Sequence, residues 1–333
     1  MKVFLSKNFN KDSSKNILFR LHRDYSAIYY TNGINISKHI DNNYDFAHFL
    51  SIKAKKDILY VKEKLNKKVI LNYFVDKHLS AKQKVSDIVI PFEEKKLLEK
   101  CDLIIVSCQA DKMILVANGI DTNIEVLTPP VKEDKFTSIS DLEKNSFFKY
   151  GGLVKDEKFG ISLVNYKNLQ DIEDLNYIAT KLKQYKLFVF GPKLKRIGHW
   201  KIKRLLKKAP KNLKYKSYVD EDVFKSSILL ASFFIVTREL EGELVTILEA
   251  MITKTPIFTF HTHFAGDVLN DNINCVCAFN KEEMVEKINK KINSCQSLVD
   301  EAYEFSKKSN YETYGKVLKE LLSKYIDLDL SQE

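Results

Sequence analysis

The chain has 333 residues, of which 44% are hydrophobic and 29% are charged, and its formal net charge at pH 7 is +10. This length predicts two domains of similar size, and the composition excludes collagen-like, disordered and disulfide-scaffold proteins. The positive charge indicates an anionic partner, which is a nucleic acid, a phosphate-bearing small molecule or an acidic membrane surface.

Cellular location is predicted from apolar windows and cysteines. No window approaches the ~20 apolar residues of a transmembrane helix, and the N-terminal residues 1–8 contain no signal-peptide apolar region. The five cysteines lack zinc-like spacing, so buried reduced thiols are the preferred interpretation. These features predict a protein of the reducing cytoplasm.

Along the first half, short apolar runs alternate with helical periodicity, as is typical of parallel βαβ units. Helices are predicted over Lys53–Leu65 and from Pro91 onward. The predicted strands are Lys2–Leu5, Ala27–Thr31, Phe46–Leu50, Val69–Tyr73, Leu103–Ser107 and Ile124–Leu127. We therefore predict a Rossmann-like acceptor-side domain over residues 1–130, which ends at a proline-broken linker.

The second half repeats this alternation and predicts a second Rossmann-like domain over residues 131–310. Its predicted strands are Gly160–Asn165, Leu187–Phe190, Ala231–Val236 and Pro256–Phe260. Its predicted helices are Asp171–Leu182, Val245–Thr253 and Lys281–Lys290. The amphipathic tail, residues 311–333, is interpreted as a helix that packs back on the first domain.

The stretch Arg238–Ile257 is the most informative part of the sequence. It follows a predicted strand and opens a helix, so its loop should lie at the carboxyl edge of a parallel sheet, where open α/β folds bind ligands. Gly242 permits close approach of the backbone, and the amides that enter the helix can accept a diphosphate. Glu241 and Glu249 are eight residues apart, and a carboxylate suits the vicinal diol of a sugar or a ribose.

These residues resemble the E-x7-E region of the retaining glycosyltransferases of family 4, which have the GT-B fold. The similarity rests on Glu241-Gly242, Glu249-Ala250-Met251 and Pro256, all in register after a strand. Weaker similarities follow in the same order along the chain at Asp45–His48, Cys101–Ser107 and Leu187–Pro192. The resemblance implies an α/β protein with two Rossmann-like domains whose parallel sheets face each other across a cleft.

The resemblance also implies an activity, which is transfer of a hexose from a nucleoside diphosphate sugar (NDP-sugar) to an acceptor hydroxyl with retention. Glu249 would hold the donor ribose, and Glu241 would face the donor sugar as a catalytic residue. No cofactor besides the donor substrate is implied, and the acceptor is a saccharide or a lipid. The implied donor-binding residues are Glu249, Gly242, Glu243, Leu244, Val245, Thr246, Lys158, Gly191 and Tyr218.

The family uses an arginine and a lysine near the first strand of the second domain to neutralise the departing diphosphate. Two registers compete in this sequence. In one, Lys158 supplies the positive charge; in the other, Lys167 does so from the loop after strand Gly160–Asn165. The order strand, loop, helix favours Lys167, and neither register supplies an arginine.

Four histidines are candidates for the site, of which His78 is the weaker acceptor-side one because it lies several residues beyond Tyr73. His48 follows a strand of the first domain and is either a catalytic group that faces the cleft or a satisfied structural histidine. His261 and His263 follow a strand of the second domain. They either line the donor loop or begin a metal site, but no third ligand is evident and we predict no metal.

A basic run extends from Lys193 to Lys216 without one acidic residue, and it includes the only tryptophan, Trp200. It is a solvated helix face, a patch for anionic lipid headgroups or a nucleic-acid surface. Since many proteins of the resembled family glycosylate lipids at the inner membrane face, the lipid alternative adds a peripheral membrane location there. Nucleic acid is disfavoured because no aromatic platform or known module accompanies the charge.

A rival hypothesis is a catalytically silent glycosyltransferase-like subunit that binds a partner protein. It is motivated by Glu243 and Lys254, which depart from the family pattern, and by the missing arginine. Glu243 adds negative charge near a diphosphate site, and Lys254 stands where the family has glycine.

Overall fold

The computed structural model describes residues 1–7, 17–75, 87–136, 138–154, 157–164, 166, 168–192, 200–217, 219–237, 244–261 and 267–326. Packing of the Cα atoms divides these residues into two compact units. The first holds the described parts of Met1–Lys132 and Lys308–Glu333, with Asp267. The second holds the described parts of Glu133–Thr262 and Val268–Lys307.

Strands and helices alternate along both units. The strands are β1 (Lys2–Leu5), β2 (Asn35–Ser37), β3 (Phe46–Phe49), β4 (Lys68–Asn72), β5 (Leu103–Val106), β6 (Ile124–Val126), β7 (Phe159–Leu163), β8 (Lys186–Gly191), β9 (Leu213–Ser217), β10 (Phe233–Val236), β11 (Ile257–Phe260) and β12 (Val276–Ala278). The α-helices are α1 (Ile17–Thr31), α2 (Lys55–Glu63), α3 (Phe92–Leu98), α4 (Gln109–Ala117), α5 (Asp141–Gly151), α6 (Leu169–Lys181), α7 (Trp200–Lys207), α8 (Glu221–Leu230), α9 (Leu244–Ile252), α10 (Lys281–Lys291), α11 (Gln296–Lys307) and α12 (Tyr311–Ile326).

The first unit contains a six-stranded parallel sheet in the order β2-β1-β3-β4-β5-β6. Its central strands are apolar on both faces because helices cover both sides, and every residue of β5 is buried. The predicted strands at Phe46, Val69, Leu103 and Ile124 are confirmed in position within one residue at their starts.

One predicted strand of the first unit is wrong. Ala27–Thr31 lies in the last turns of α1. The buried residues Leu21, Tyr25, Ile28 and Tyr29 are spaced by four, three and one, which places them on one helical face. A five-residue apolar window is too short to show this period, and the window alone predicts a strand.

The C-terminal helix α12 packs on α1 within the first unit. The hydroxyls of Tyr25 and Tyr314 are hydrogen bonded, and Tyr311 donates to Asp24 over 2.7 Å. The two helices approach closely at Gly315, where an added Cβ would lie 2.5 Å from the side-chain nitrogen of Asn32 and would displace that side chain.

The second unit contains another six-stranded parallel sheet, in the order β12-β11-β10-β7-β8-β9. All four predicted strands are confirmed as β7, β8, β10 and β11. The edge strands β9 and β12 were not predicted. The sequence of β9, Leu-Lys-Tyr-Lys-Ser, carries the lysines that protect an exposed edge, and β12 has only three residues.

Candidate functional site

The second sheet has a topological switch point between β7 and β10. β7 comes first in the chain, β8 and β9 extend the sheet on one side of it, and β10 lies on its other side. The carboxyl edge between β7 and β10 is therefore the place where open α/β sheets bind ligands, and we call it the crevice. Two side chains join the strands here: Ser162 donates to the carbonyl of Ile235 over 2.8 Å, and Thr237 donates to that of Leu163 over 3.3 Å.

Helix α9 begins beside this crevice. All nine of its residues are buried and most of them are apolar, so it is a core helix rather than a surface helix. Because α9 follows β10, its N-terminus faces the carboxyl edge of the sheet, and the first amides of the helix have no intrahelical acceptors. Leu244, Val245 and Thr246 supply these amides.

Glu249 lies in the middle of α9 and is 3% exposed. Helical side chains lean toward the N-terminus, so its carboxylate is directed toward the end of α9 that faces the crevice. A carboxylate in an apolar helix is costly to bury. This position therefore indicates a polar function for Glu249 rather than a solvated helix end.

Several predicted site residues lie outside the described part of the chain. They are Glu241, Gly242, Glu243, Lys167 and Tyr218. The segment 238–243 joins Thr237 to α9, and Lys167 stands between Tyr166 and Asn168 after β7. Asn168 caps α6 by accepting a hydrogen bond from the amide of Gln170 over 2.9 Å.

Lys158 does not lie at the crevice. It is exposed and immediately precedes β7, at the amino edge of the sheet. The five residues of β7 span roughly 16 Å, which is longer than a lysine side chain. The position of Lys158 at the amino edge favours the other register, in which Lys167 follows β7 on its carboxyl side.

Tyr166, which follows β7, was not singled out from the sequence, and it packs in the core on the β8 and β9 side of β7. Its φ is 64°, in the left-handed region that non-glycine residues rarely adopt, and it is 4% exposed. Its ring packs on Gly191, the last residue of β8, where an added Cβ would lie 2.5 Å from the ring. Gly191, which the sequence predicted at the donor site, must therefore be glycine to admit this ring.

The hydroxyl of Tyr166 is buried and has no hydrogen-bond partner in the structure described. Burial raises the pKa of Tyr166, so the hydroxyl remains protonated and can donate. An unpartnered buried hydroxyl is unfavourable and calls for an explanation. No sequence signal marks this residue, because its significance comes from its φ and from its contact with β8.

His48 lies in the core of the first unit and is 0% exposed. The amide of Asn72 donates to Tyr25 over 2.8 Å, so its oxygen accepts from Nε2 of His48 over 2.7 Å. Nδ1 then accepts from the hydroxyl of Tyr29 over 2.8 Å. Both ring nitrogens are satisfied, so the geometry matches the structural alternative for His48 and not a group that faces a cleft.

His261 follows β11 at the carboxyl edge of the second sheet. Its amide donates to the carbonyl of Ala278 over 2.8 Å, and its ring packs on Phe279 with 5.1 Å between centroids. His78 and His263 lie outside the described residues. Within the described ranges, no group of three or more histidine, cysteine or acidic side chains is arranged to hold a metal.

Lys254 lies at the other end of α9 from the crevice. Its φ is 56°, and the amides of Lys254 and Thr255 donate to Met251 and Ala250 over 3.0 and 2.9 Å. These bonds form a Schellman motif, whose left-handed residue is usually glycine. The difference from the family pattern at Lys254 therefore belongs to the end of a helix and does not alter the crevice.

The described part of the basic run forms α7 and β9. Ile202 is the buried residue of α7, while Trp200 is 62% exposed and Lys201 lies over its ring. The opposite face of α7 is lysine and arginine. No helix in the described ranges is long and apolar enough to cross a bilayer.

Comparison with known proteins agrees with this architecture. The family "Glycosyl transferases group 1" matches residues 132–309, which is more than half of the chain, and the chain belongs to this family. The match spans nearly all of the second unit, including the crevice and α9. No curated protein matches the sequence.

Several solved structures share the fold. HepE from Anabaena, in complex with UDP and glucose, is 13% identical, with a TM-score of 0.71 over 97% of this chain and 99% of HepE. Sucrose-phosphate synthase from Thermosynechococcus elongatus is 14% identical, with a TM-score of 0.69 over 96% of this chain and 80% of that one. A glycosyltransferase from Rickettsia africae is 15% identical, with a TM-score of 0.65, over 97% and 85%. The predicted GT-B class of fold, with two Rossmann-like parallel sheets, is confirmed.

Proposed function

We propose that this chain is a retaining glycosyltransferase of family 4 that binds an NDP-sugar at the carboxyl edge of the second sheet. It transfers the hexose to a hydroxyl of a saccharide or lipid acceptor. The observation that carries the proposal is the buried carboxylate of Glu249 in an apolar helix that begins at the switch point. Membership of the family supports it, and the UDP-glucose complex of HepE suggests UDP as the first nucleotide to test.

In the proposed reaction, the oxygen of the acceptor hydroxyl forms a bond to the anomeric carbon of the donor. The bond from that carbon to the diphosphate oxygen breaks, the NDP leaves, and the hydroxyl proton passes to the departing phosphate or to solvent. Retention places the new bond on the face from which the diphosphate left. Catalysis then rests on positioning and on stabilising the charge of the diphosphate.

Each residue has a role in this proposal. Glu249 accepts hydrogen bonds from the ribose diol, and Glu241 faces the donor sugar. The amides at the start of α9 and the ammonium of Lys167 neutralise the diphosphate. Lys167 thus carries alone a charge that the family divides between a lysine and an arginine.

The substitution Glu249→Ala tests where the nucleotide binds. Loss of a charged hydrogen bond to the ribose should weaken UDP binding by about 1.5–3 kcal/mol, which titration calorimetry measures directly. Glu283→Ala is the matched control, because Glu283 is a carboxylate on α10 of the same unit and accepts a hydrogen bond from the amide of Phe279. Equal UDP affinity in wild type and Glu249→Ala would contradict the assignment of Glu249 to the ribose of the donor.

We also propose that α7 binds anionic lipid headgroups at the inner membrane face. Its exposed basic face and its exposed Trp200 suit an interface in which cations meet phosphates and an indole lies at headgroup depth. The sequence from Lys193 to Lys216 contains no acidic residue that would offset this charge.

A further inference from the structure

Two cysteines lie in contact at the edge of the second sheet. Cys275 immediately precedes β12, and Cys277 lies within it. Their Sγ atoms are 3.7 Å apart, so the two alternate residues direct their side chains to the same face of the chain. Since a disulfide holds its sulfurs about 2.05 Å apart, these two atoms need to approach by less than about 2 Å to be joined.

The two thiols differ in their access to solvent. Cys275 is 1% exposed, while Cys277 is half-buried. A small oxidant in solution therefore reaches Cys277 first. Cys275 can then meet an oxidised Cys277 without leaving the interior, and β12 is the last strand of its sheet, which leaves it room to adjust.

The surroundings also give the two sulfurs different roles. With the Cys275 thiol as donor in their contact, the pKa of Cys277 is lowered and that of Cys275 is raised. The ammonium of Lys287, which donates to the carbonyl of Cys277, lowers the pKa of Cys277 further, whereas partial burial and the carboxylate of Asp271 oppose this shift. Because the thiolate is the nucleophile, Cys277 is suited to attack an oxidant and Cys275 to act second.

We infer that Cys275 and Cys277 form a dithiol site that hydrogen peroxide converts to a reversible disulfide. Alternate residues of an extended chain have Cα atoms about 6.7 Å apart, near the upper limit for a disulfide. A disulfide at this limit should be easily reduced by small thiols. The site is separate from the proposed donor site and does not depend on it.

The reaction has two steps. The sulfur of Cys277 attacks one oxygen of hydrogen peroxide, the O–O bond breaks, and the departing hydroxide takes up the proton of the Cys277 thiol to form water. The sulfur of Cys275 then attacks the sulfenic acid of Cys277, the S–O bond breaks, and the hydroxyl leaves with the Cys275 proton as a second water. The two thiols lose two electrons, which the peroxide gains.

A second pair of cysteines provides a matched control. Cys101 and Cys108 are both buried, and they lie beyond opposite ends of β5, too far apart to be joined. Burial raises the pKa of the Cys101 thiol to about 12, so this thiol stays protonated. Trypsin releases the control pair on the fragment of residues 101–112 and the proposed pair on that of residues 255–281, so each pair is followed separately.

Cys295 is the rival partner for Cys275. The two residues line one small cavity beside α11, and Cys295 is buried. Its Sγ donates to the carbonyl of Ile292 over 3.5 Å, within its own turn of the chain. Trypsin places Cys295 on the fragment of residues 292–307, so a disulfide to Cys275 would join two fragments.

The test treats the folded chain with hydrogen peroxide, blocks the remaining thiols with N-ethylmaleimide and maps the tryptic fragments by mass spectrometry. In wild type, fragment 255–281 should lose both thiols at least about tenfold faster than fragment 101–112, and dithiothreitol should restore them. Cys275→Ser should instead accumulate a sulfenic acid at Cys277, which dimedone traps, because the second thiol is missing. Cys295→Ser should behave as wild type.

Three results would overturn the inference. Oxidation of both fragments at the same rate would show that the contact between Cys275 and Cys277 gives them no special reactivity. A disulfide between fragments 255–281 and 292–307 would assign Cys295 as the partner. A dimedone adduct on Cys275 of the Cys277→Ser variant, formed as fast as wild type is oxidised, would show that Cys277 is not the thiol that peroxide reaches first.

Discussion

At the scale of single residues, Lys254 holds a backbone conformation that glycine adopts at lower cost. Its side chain contributes little in return, since it pairs with Asp300 over 3.5 Å at an exposed site and lies over the ring of Tyr303. Lys254→Gly should therefore be more stable than Lys254→Ala by about 1 kcal/mol, measured by chemical denaturation.

The alanine variant is the control for Lys254→Gly because both substitutions remove the same side-chain contacts. They differ in the Cβ, which is the group that disfavours the left-handed conformation. If the two variants were equally stable, the left-handed C-terminus of α9 would not describe the folded protein in solution.

His48 makes the stability of the first unit depend on pH. Burial lowers its pKa from the ordinary value of 6.5 to about 4, while the hydrogen bond to Asn72 opposes the shift. The unfolded chain takes up this proton below pH 6.5 and the folded protein does not until about pH 4, so stability is complete above 6.5 and falls as the pH decreases toward 4.

The expected magnitude follows from the size of this shift. Between pH 7 and pH 5, wild type should lose about 2 kcal/mol more unfolding free energy than His48→Gln, whose side chain does not titrate. Denaturant titrations at both values measure this difference. His22, whose pKa is also lowered by burial, is present in both proteins and does not affect the comparison. A pH dependence that His48→Gln leaves unchanged would contradict the buried network around His48.

At the scale of elements, the basic face of α7 makes a prediction about membranes. Substituting Lys201, Lys203 and Lys207 by glutamine should reduce binding to vesicles that contain anionic phospholipid by roughly a hundredfold, since each lysine near such a surface contributes about 1 kcal/mol. Co-sedimentation measures the effect, and binding of wild type should weaken as salt rises.

The control for α7 removes the same charge from the other unit. Lys53, Lys55 and Lys56 are exposed at the start of α2, and their replacement by glutamine should leave vesicle binding nearly unchanged. Equal binding of wild type to neutral and anionic vesicles would rule out the membrane proposal. Equal losses in the two triple variants would assign the effect to net charge and not to α7.

The elements also show what sequence patterns can predict. The prediction of a strand at Leu103–Ser107 is confirmed by β5, because strands buried on both faces are continuously apolar. The strand predicted at Ala27–Thr31 is wrong, because the helical period of this segment appears only when Leu21 and Tyr25 are included. Strand β9 was not predicted from the sequence, because its two lysines give it the polar composition of a loop.

The candidate site divides in the same way between what a motif shows and what only the fold shows. Glu249 was predicted because its spacing from Glu241 and its neighbours match a family pattern, and the structure finds it buried in α9. Lys158 was a candidate because the residues around it loosely match the family pattern. Such a match does not show at which end of a strand a residue lies. The unusual environment of Tyr166 is visible only in its φ angle and in its contact with Gly191, which no local sequence pattern encodes.

At the scale of the whole molecule, two parallel sheets give two switch points, one in each unit. In the first, Ser6 after β1 accepts a hydrogen bond from the amide of Leu50 after β3 over 3.0 Å. The second has α9 and its buried carboxylate beside it. The proposed donor site uses the second switch point.

The most direct test of the central claim is release of NDP from a panel of NDP-sugars, by wild type and by Glu241→Gln, with saccharide and glycolipid acceptors. Wild type should release NDP from at least one donor. Glu241→Gln should bind that NDP nearly as well as wild type does. It should cleave the donor to NDP about a hundredfold more slowly, because a contact with the donor sugar strengthens in the transition state. Glu282→Gln, at an exposed position on α10, should behave as wild type. Release at the same rate by wild type and Glu241→Gln, or no release by either, would contradict the proposed glycosyltransferase site.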